Sequence, residues 1–383
     1  MRILFCNDDY PGHFEALVSH LAAMPEHDVV FASVYGRRDF SLPGVRRIAL
    51  KPVRRKDSRE SDEAVTDWAR AVAAGRQAQA ALQVLADSGW HPDILLCSPG
   101  SGLPLFLDRV FPDAFRVCCA GSGLLRVLRQ AGEDRRMVSL AIHSAVLAHS
   151  HKALSFFPAS CLPFPLAGAF EEMRPTVDTA FFSRESAVSG MNGLGEELVT
   201  LDTRGCSGIG SELMVAVMGL LLHRPACHVL FLCAAPQIAE QVKAAFDGLA
   251  PTARDRVHVR EGLTRFDLCD LFSASSLCLW PEGGVMPVDC LCAMSCGTPL
   301  LAPASAVRPL LEDVVTELPQ DRDGMFRTVS RLLDSPSQRA ELGRLSRLAV
   351  QEHFDRKTLL PGYVESLMKD CLAHRAAESL QTS

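Results

Sequence analysis

The sequence lacks an excess of positive charge, a long hydrophobic run and any C-x-x-C pair of cysteines. A formal net charge of −6 at pH 7 argues against a nucleic-acid-binding surface. The longest apolar stretch, residues 213–222, is too short to cross a bilayer, and only peripheral contact with a membrane stays open. No C-x-x-C pair occurs, so neither a zinc knuckle nor a thioredoxin-like motif is supported and no metal is expected.

What the chain does contain is typical of a globular protein, with 48% hydrophobic and 22% charged residues. A length of 383 residues exceeds one ordinary core and suits two domains. The 14 cysteines lie largely in apolar runs, which favours small buried hydrophobes in a reducing compartment. The apolar start of the chain is too short for a secretory signal, so we expect a cytoplasmic protein.

Short apolar runs alternate with helical periodicities in both halves of the chain. This alternation predicts an α/β fold with parallel sheets. A polar, glycine-rich break over residues 183–196 separates the two halves. We therefore predict an N-terminal domain over residues 1–183 and a C-terminal domain over residues 184–355. A final helical segment, residues 356–383, is expected to pack back on the N-terminal domain.

The stretch from residue 274 to residue 313 carries the most information about function. An apolar run over residues 277–280 predicts a strand that enters a Pro/Gly loop. A helix is predicted over residues 287–296, where Gly297 provides a C-terminal stop signal. A second apolar strand, residues 299–302, leads to a further helix. This order of elements is typical of a parallel α/β sheet.

This stretch resembles the donor-binding segment of retaining GT-B glycosyltransferases of the family-4 type. In that family a carboxylate-bearing helix continues as A-M-x-x-G-x-P, and a strand and a V-R-E-like helix follow. The residues that match this pattern are Ala293, Met294, Gly297, Thr298, Pro299, Val307 and Arg308. Weaker matches elsewhere are M-R-I-L-F followed by P-G-H-F, H-P-D-I-L-L-C-S-P-G, and Val177-Asp178-Thr179 with Phe181.

The resemblance implies a GT-B fold, in which two Rossmann-like domains face each other across a cleft. It implies that the second domain holds a nucleotide diphosphate-sugar and that the first holds an acceptor, an unknown glycan, lipid or protein. The implied activity is transfer of a hexosyl group with retention, with the nucleotide-sugar as co-substrate and no separate cofactor. An alternative stays open, in which the chain is a catalytically impaired relative that acts as a binding or scaffolding partner of an active transferase.

The glycine-rich loop over residues 204–211 follows a predicted strand and precedes a helix. Glycines let backbone N–H groups approach a phosphate, and a helix N-terminus favours negative charge. The resemblance implies a basic pair here, but Arg204 is the only cation in the loop. We therefore expect Arg204 to bind the donor diphosphate together with Gly208, Gly210 and Ser211. The alternatives are a tight turn without a ligand and a dehydrogenase-like phosphate loop, the latter disfavoured because no Tyr-x-x-x-Lys pair follows.

Cys292 occupies the position where the resemblance implies a carboxylate that bonds the donor ribose. A thiol is a poor acceptor and is mostly neutral at pH 7. Asp289 lies three residues earlier, on the same face of the predicted helix, and is expected to substitute for it. Glu282 is a second candidate carboxylate near the sugar. The alternative for both acids is a solvated loop or helix-terminus charge.

Two further groups complete the predicted site. The loop residues Gly283, Gly284 and Met286 are expected to pass close to the donor sugar, unless they form only a flexible turn. On the acceptor side, Gly12 and His13 follow the first strand, and Ser98 and Gly100 follow another strand. With Asp289, His13 is the candidate catalytic residue, and a surface histidine without a role is its alternative.

Overall fold

The structure is a computed structural model of the chain. It describes residues 1–36, 41–53, 63–100, 102–121, 124, 132–157, 166–186, 197–204, 206, 208–233, 236–282, 286–307 and 309–382. The chain divides into two compact units, which are described separately. Unit 1 comprises Met1–Arg174 and Leu359–Ser383, and unit 2 comprises Pro175–Thr358.

The boundary between the units lies before the predicted glycine-rich break. Residues 175–183, which the sequence placed in the first domain, group with unit 2. There Val177 pairs with Asp355 as an isolated bridge, and the Thr179 hydroxyl donates to Asp355 Oδ1 at 2.7 Å. Phe182 is buried in the core of unit 2. These contacts attach the segment to unit 2. They join residues far apart in the sequence, so the position of a polar, glycine-rich stretch could not predict them.

Unit 1 is built on a parallel sheet with strand order β3-β2-β1-β4-β5-β6-β7. Its strands are β1 (Arg2–Asp9), β2 (Asp28–Tyr35), β3 (Val45–Ala49), β4 (Ile94–Cys97), β5 (Phe115–Ala120), β6 (Lys152–Ser155) and β7 (Glu171–Glu172). Its α-helices among the described residues are α1 (Glu15–Ala22), α2 (Glu63–Asp87) and α3 (Glu133–Ala148).

The central strands β1, β2, β4 and β5 are largely buried because they are mostly apolar, as expected when helices cover both faces of a parallel sheet. Phe5 on β1 packs against Phe31 on β2 and Phe14, with ring centroids 5.8 and 5.3 Å apart. The last helix of the chain adds Leu360, Leu367 and other apolar residues to this core.

Unit 2 has a second parallel sheet, of order β10-β9-β8-β11-β12-β13. Its strands are β8 (Glu197–Asp202), β9 (Cys227–Leu232), β10 (Val257–Arg260), β11 (Leu277–Leu279), β12 (Leu300–Ala302) and β13 (Thr316–Glu317). Its α-helices among the described residues are α4 (Ser211–His223), α5 (Pro236–Phe246), α6 (Pro251–Arg254), α7 (Arg265–Ala274), α8 (Val288–Ser295), α9 (Arg322–Leu333) and α10 (Pro336–Phe354). The last helix, α11 (Arg356–Thr382), begins in unit 2 and belongs to unit 1 from Leu359 onward.

Helices cover both faces of the second sheet. On one face α4, α5 and α9 contribute buried residues such as Val217, Val242 and Val329. On the other face α7, α8 and α10 contribute residues such as Phe272 and Phe354. The predicted α/β fold of two Rossmann-like units is therefore confirmed.

Both sheets have a point where the direction of winding reverses, between β1 and β4 in unit 1 and between β8 and β11 in unit 2. In open α/β sheets, ligands bind outside the carboxyl ends of the strands at such a point. The residues that follow β1, β4, β8 and β11 are therefore the candidate ligand-binding residues.

Candidate functional site

The residues that follow β8 and β11 lie side by side at the carboxyl edge of unit 2. These strands are hydrogen-bonded in parallel, with Leu201 opposite Leu279. The glycine-rich loop after β8 and the segment around Glu282 after β11 therefore leave the sheet next to each other. The topology places these two sequence-predicted regions at one edge.

Arg204 is a cation at this edge, and two carboxylates bind it. Its Nε and Nη2 donate to Asp202 Oδ1 and Oδ2 at 2.9 and 2.7 Å, a bidentate pair. Nη2 also lies 3.2 Å from Asp289 Oδ2. Burial lowers the pKa of Arg204, but Asp289 and Asp202 raise it by more, so the guanidinium stays charged. The structure thus brings Arg204 and Asp289 together from two separate elements.

The two acids that bind Arg204 differ in their exposure. The side chain of Asp202, the last residue of β8, is only 1% exposed, whereas that of Asp289 is 32% exposed. Asp202 also accepts the backbone N–H of Arg204 at 3.2 Å and so fixes the start of the loop. Sequence reasoning missed Asp202, although an acid at the last position of an apolar strand, two residues before an arginine, was a signal for it.

Glu282 lies in contact with Cys206, another residue that sequence reasoning did not select. Burial raises the pKa of the Cys206 thiol, and Glu282, which accepts a hydrogen bond from that thiol, raises it further. The thiol is therefore neutral near pH 7 and acts as a hydrogen-bond donor. This contact joins the β8 loop to the segment after β11, as the Arg204–Asp289 pair does.

The turn before α4 presents its backbone to solvent. Gly210 is the N-cap residue of α4 in an extended conformation, and Ser211 begins the helix. Gly208, Gly210 and Ser211 are exposed, and no described atom lies within 4 Å of a Cβ built on Gly210. The first N–H groups of a helix have no partner within it, so this turn has the properties of an anion site.

Cys292 and Met286 do not line this edge. Their side chains are 5% and 2% exposed and belong to the same core cluster. Burial raises the pKa of the Cys292 thiol well above its ordinary value, and the carboxylate of Asp289 raises it further. Both side chains act in packing, while Gly283 and Gly284 lie outside the described residues.

In unit 1, the residues predicted for an acceptor gather at the carboxyl ends of β1 and β4. Gly12 has φ +56°, and a Cβ there would come within 2.5 Å of Asn7 Nδ2. His13 keeps solvent-exposed surface, and its ring lies 5.0 Å from that of Phe156. Desolvation by the surrounding protein atoms lowers the pKa of His13 to about 4, so the ring is neutral near pH 7. Ser98 donates its N–H to Cys6 O at 3.0 Å, and Gly100 is exposed. The geometry is that of the ligand-binding edge of a parallel sheet.

Over the described ranges, no group of three or more His, Cys, Asp or Glu side chains is arranged to hold a metal ion. In the same part of the chain, no helix combines the length and the apolar character that crossing a bilayer requires.

Known proteins resemble the chain in sequence over one segment and in fold over its length. Residues 25–120 match the model of the glycosyl transferase family 4 group. The structure is similar to Anabaena HepE in complex with UDP-glucose (12% identity, 96% of this chain, 100% of that chain, TM-score 0.69). It is also similar to the catalytic domain of starch synthase IV from Arabidopsis thaliana bound to ADP and acarbose (13% identity, 97% of this chain, 99% of that chain, TM-score 0.63).

A third similar structure is a putative UDP-N-acetylglucosamine 2-epimerase from Listeria monocytogenes (14% identity, 91% of this chain, 94% of that chain, TM-score 0.59). No curated protein matches the chain in sequence. Identities this low establish the fold alone. The chain therefore has the GT-B fold, and within it residues 25–120 match the glycosyl transferase family 4 group.

Proposed function

We propose that the protein transfers a hexosyl group from a nucleotide diphosphate-sugar to an acceptor. The observation that carries this proposal is the exposed, amide-rich turn before α4 at the winding reversal of unit 2, beside the Arg204–Asp289 pair. Its support comes from the family 4 match and from structures of the same fold that hold UDP-glucose or ADP.

In this proposal the diphosphate binds at the N-terminal end of α4. The backbone N–H groups of Gly210 and Ser211, with the helix dipole, stabilise the charge that develops on the leaving phosphate. The bond between the sugar C1 and the phosphate oxygen breaks, and a bond from the acceptor oxygen to C1 forms on the same face. The leaving phosphate takes the acceptor proton, so no protein nucleophile or metal is invoked. Asp289 is assigned to donor hydroxyl groups.

The acceptor is assigned to the edge of unit 1 formed by the residues after β1 and β4. Gly12 and Gly100 leave backbone groups accessible there, and His13 offers a ring nitrogen to an acceptor hydroxyl. A His13→Ala variant tests this assignment and is expected to slow transfer without weakening nucleotide binding.

Calorimetric titration with UDP-glucose, ADP-glucose, GDP-mannose and UDP-N-acetylglucosamine tests donor binding. We expect one of these donors to bind and to release its nucleotide when an acceptor is supplied. Analysis of the released sugar is needed as well, because a putative epimerase shares this fold. An epimerised sugar without transfer would contradict the proposal.

Substitutions at Gly210 provide a sharper test of the anion site. Because its φ of −63° suits any residue and its Cβ position is open, both Gly210→Asp and Gly210→Asn should fold. The two side chains have nearly the same size and both cap helices, but only Asp adds a negative charge. We expect Gly210→Asp to bind the donor at least about tenfold more weakly than Gly210→Asn. Equal affinities would show that no phosphate binds at this turn.

A catalytically impaired scaffold is the second candidate. Two observations favour it, because Arg204 is already neutralised by two carboxylates and Cys292 is buried where the resemblance implies a carboxylate. If none of the nucleotide-sugars binds, the scaffold is the better description. Binding without turnover would favour an impaired relative that retains its ligand.

A further inference from the structure

We propose that a pH-sensitive contact holds the second half of α11 on unit 1, and that protonation of His151 breaks the packing of its ring on His374. The contact lies at the amino ends of β5 and β6, opposite the edge of the sheet to which the acceptor is assigned. Its loss would release residues 370–382 of α11 from the unit.

Two histidine rings from separate elements meet in this contact. His151 directly precedes β6, and the centroid of its ring lies 3.9 Å from that of His374 on α11. Phe115, at the start of β5, lies against both rings, with centroid distances of 5.6 and 5.5 Å. Phe115 is only 4% exposed. Release of α11 would therefore uncover an aromatic side chain that is buried at neutral pH.

The surroundings of the His151 ring leave no place for a second proton. The backbone N–H of Arg116 donates to Nδ1 at 3.0 Å, so this nitrogen carries no proton. The other ring nitrogen, Nε2, lies 3.1 Å from Nη2 of the Arg116 guanidinium, a group that only donates. An imidazolium has an N–H at both nitrogens. Protonation would therefore break the hydrogen bond to Nδ1 and place two cations side by side.

The carboxylates on the elements that surround His151 already have cationic partners. The pairs are Asp370 and Glu171 with Lys152, Glu378 with His374, and Asp108 with His149. The charged group that faces His151 from β5 is the Arg116 guanidinium, and the next residue along β6 is Lys152. A protonated His151 would gain a carboxylate partner only by breaking one of these pairs, so leaving the contact is the favourable response.

The pKa of His151 is consistent with this geometry. Burial, the charge of Arg116 and the neighbouring His374 lower the pKa of His151 to about 4, from an ordinary value near 6.5. The docked ring therefore binds a proton less readily than the released ring does. The contribution of this contact to docking is fully present above pH 6.5 and is lost as the pH falls towards 4.

Hydrogen exchange of the full-length protein measures the release of α11. Protection factors of the amides in residues 371–380, which are corrected for the intrinsic effect of pH, should fall about tenfold between pH 7 and pH 5. His151→Gln cannot titrate, so its protection factors should be nearly equal at the two pH values even if docking is weaker. His374→Gln should reduce the fall without abolishing it, because Arg116 still faces the His151 ring.

Two further histidines provide controls. His149→Gln is the matched control, since His149 lies two positions earlier, is exposed and pairs with Asp108, and it should keep the wild-type fall. His143→Gln separates release of α11 from unfolding of the whole unit, because His143 is buried in α3. A fall that disappears in His143→Gln but persists in His151→Gln would belong to the whole unit and would overturn the proposal. Equal wild-type protection at pH 7 and pH 5 would overturn it as well.

An NMR titration of the histidine rings tests the proposal without relying on the stability of a variant. In the intact protein, His151 should gain its proton well below pH 6.5, and the amide signals of residues 371–380 should change over the same pH range. If His151 gains its proton near pH 6.5 while these amides stay protected, its charge is compatible with the docked helix and the proposal is wrong.

Discussion

The side-chain amide of Gln241 hydrogen-bonds both the N–H and the C=O of Ile209. Its Oε1 accepts from Ile209 N at 3.4 Å, and its Nε2 donates to Ile209 O at 3.2 Å. Gln241 lies on α5, whereas Ile209 lies between the two exposed glycines before α4. The glutamine therefore binds the centre of the proposed phosphate turn to a neighbouring helix and limits the conformations that the turn can adopt.

Removing the side-chain amide of Gln241 removes both hydrogen bonds to Ile209 and should make the turn more mobile. We expect Gln241→Ala to lower the free energy of unfolding by about 1 kcal/mol, measured by urea denaturation. Donor affinity should fall by roughly three- to tenfold, because the turn must be ordered when the phosphate binds. Gln237→Ala, one helical turn earlier at an exposed position, is the control and should change neither quantity appreciably. Unchanged donor affinity in Gln241→Ala would show that the hydrogen bonds between Gln241 and Ile209 have no part in binding.

A carboxylate introduced at position 292 should not restore a ribose-binding group. The side chain of Cys292 is 5% exposed and packs in the core, so Cys292→Glu would bury an ionisable group. We expect Cys292→Glu to lower the free energy of unfolding by roughly 2–4 kcal/mol, measured by urea denaturation at pH 7. Cys292→Ala is the control, with an expected loss of about 1 kcal/mol. A stable Cys292→Glu protein with improved donor affinity would show that this side chain reaches the ligand.

The contrast between Cys292 and Asp202 shows how much of the site the sequence could predict. The apolar runs and the stop signal at Gly297 predicted β11, α8 and β12, because local patterning determines such elements. The resemblance identified position 292, but the orientation of α8 decides whether a side chain there is buried. Asp202 and Arg204 are close in the sequence, but the third member of the cluster, Asp289, is distant in the sequence. Only tertiary structure brings such partners together.

The packing of α10 against the end of α8 should tolerate no side chain at Gly343. A Cβ at this position would collide with the carbonyl oxygen of Gly297, which itself has φ +73° after α8. A backbone atom cannot move aside as the end of a flexible side chain can. We expect Gly343→Ala to lower the free energy of unfolding by about 1–3 kcal/mol, measured by thermal and urea denaturation.

Gly362 offers the opposite case for comparison. It lies within α11, is exposed, and has no described atom within 4 Å of a built Cβ. Gly362→Ala should therefore raise the free energy of unfolding by about 0.5–1 kcal/mol, since alanine loses less backbone entropy on folding. If both variants shifted stability in the same direction, the argument from the Gly343–Gly297 contact would fail.

The stability of unit 1 should depend on pH through His143. This residue of α3 is 2% exposed, and its Nδ1 lies 2.7 Å from Ser139 O, which suits a neutral ring that donates from Nδ1. Burial lowers the pKa of His143 to about 4, against an ordinary value near 6.5. The folded state thus binds the proton less readily than the unfolded state. The resulting stability is fully present above pH 6.5 and is lost as the pH falls towards 4.

Between pH 7 and pH 5 this linkage should lower the free energy of unfolding by about 2 kcal/mol, measured by urea denaturation at each pH. His143→Gln cannot titrate, so the difference between the two pH values should shrink by that amount even if the variant is less stable at pH 7. His149→Gln, at the exposed end of the same helix, should retain the wild-type difference. If His143→Gln also retains it, protonation of His143 does not oppose folding, and another group accounts for the loss.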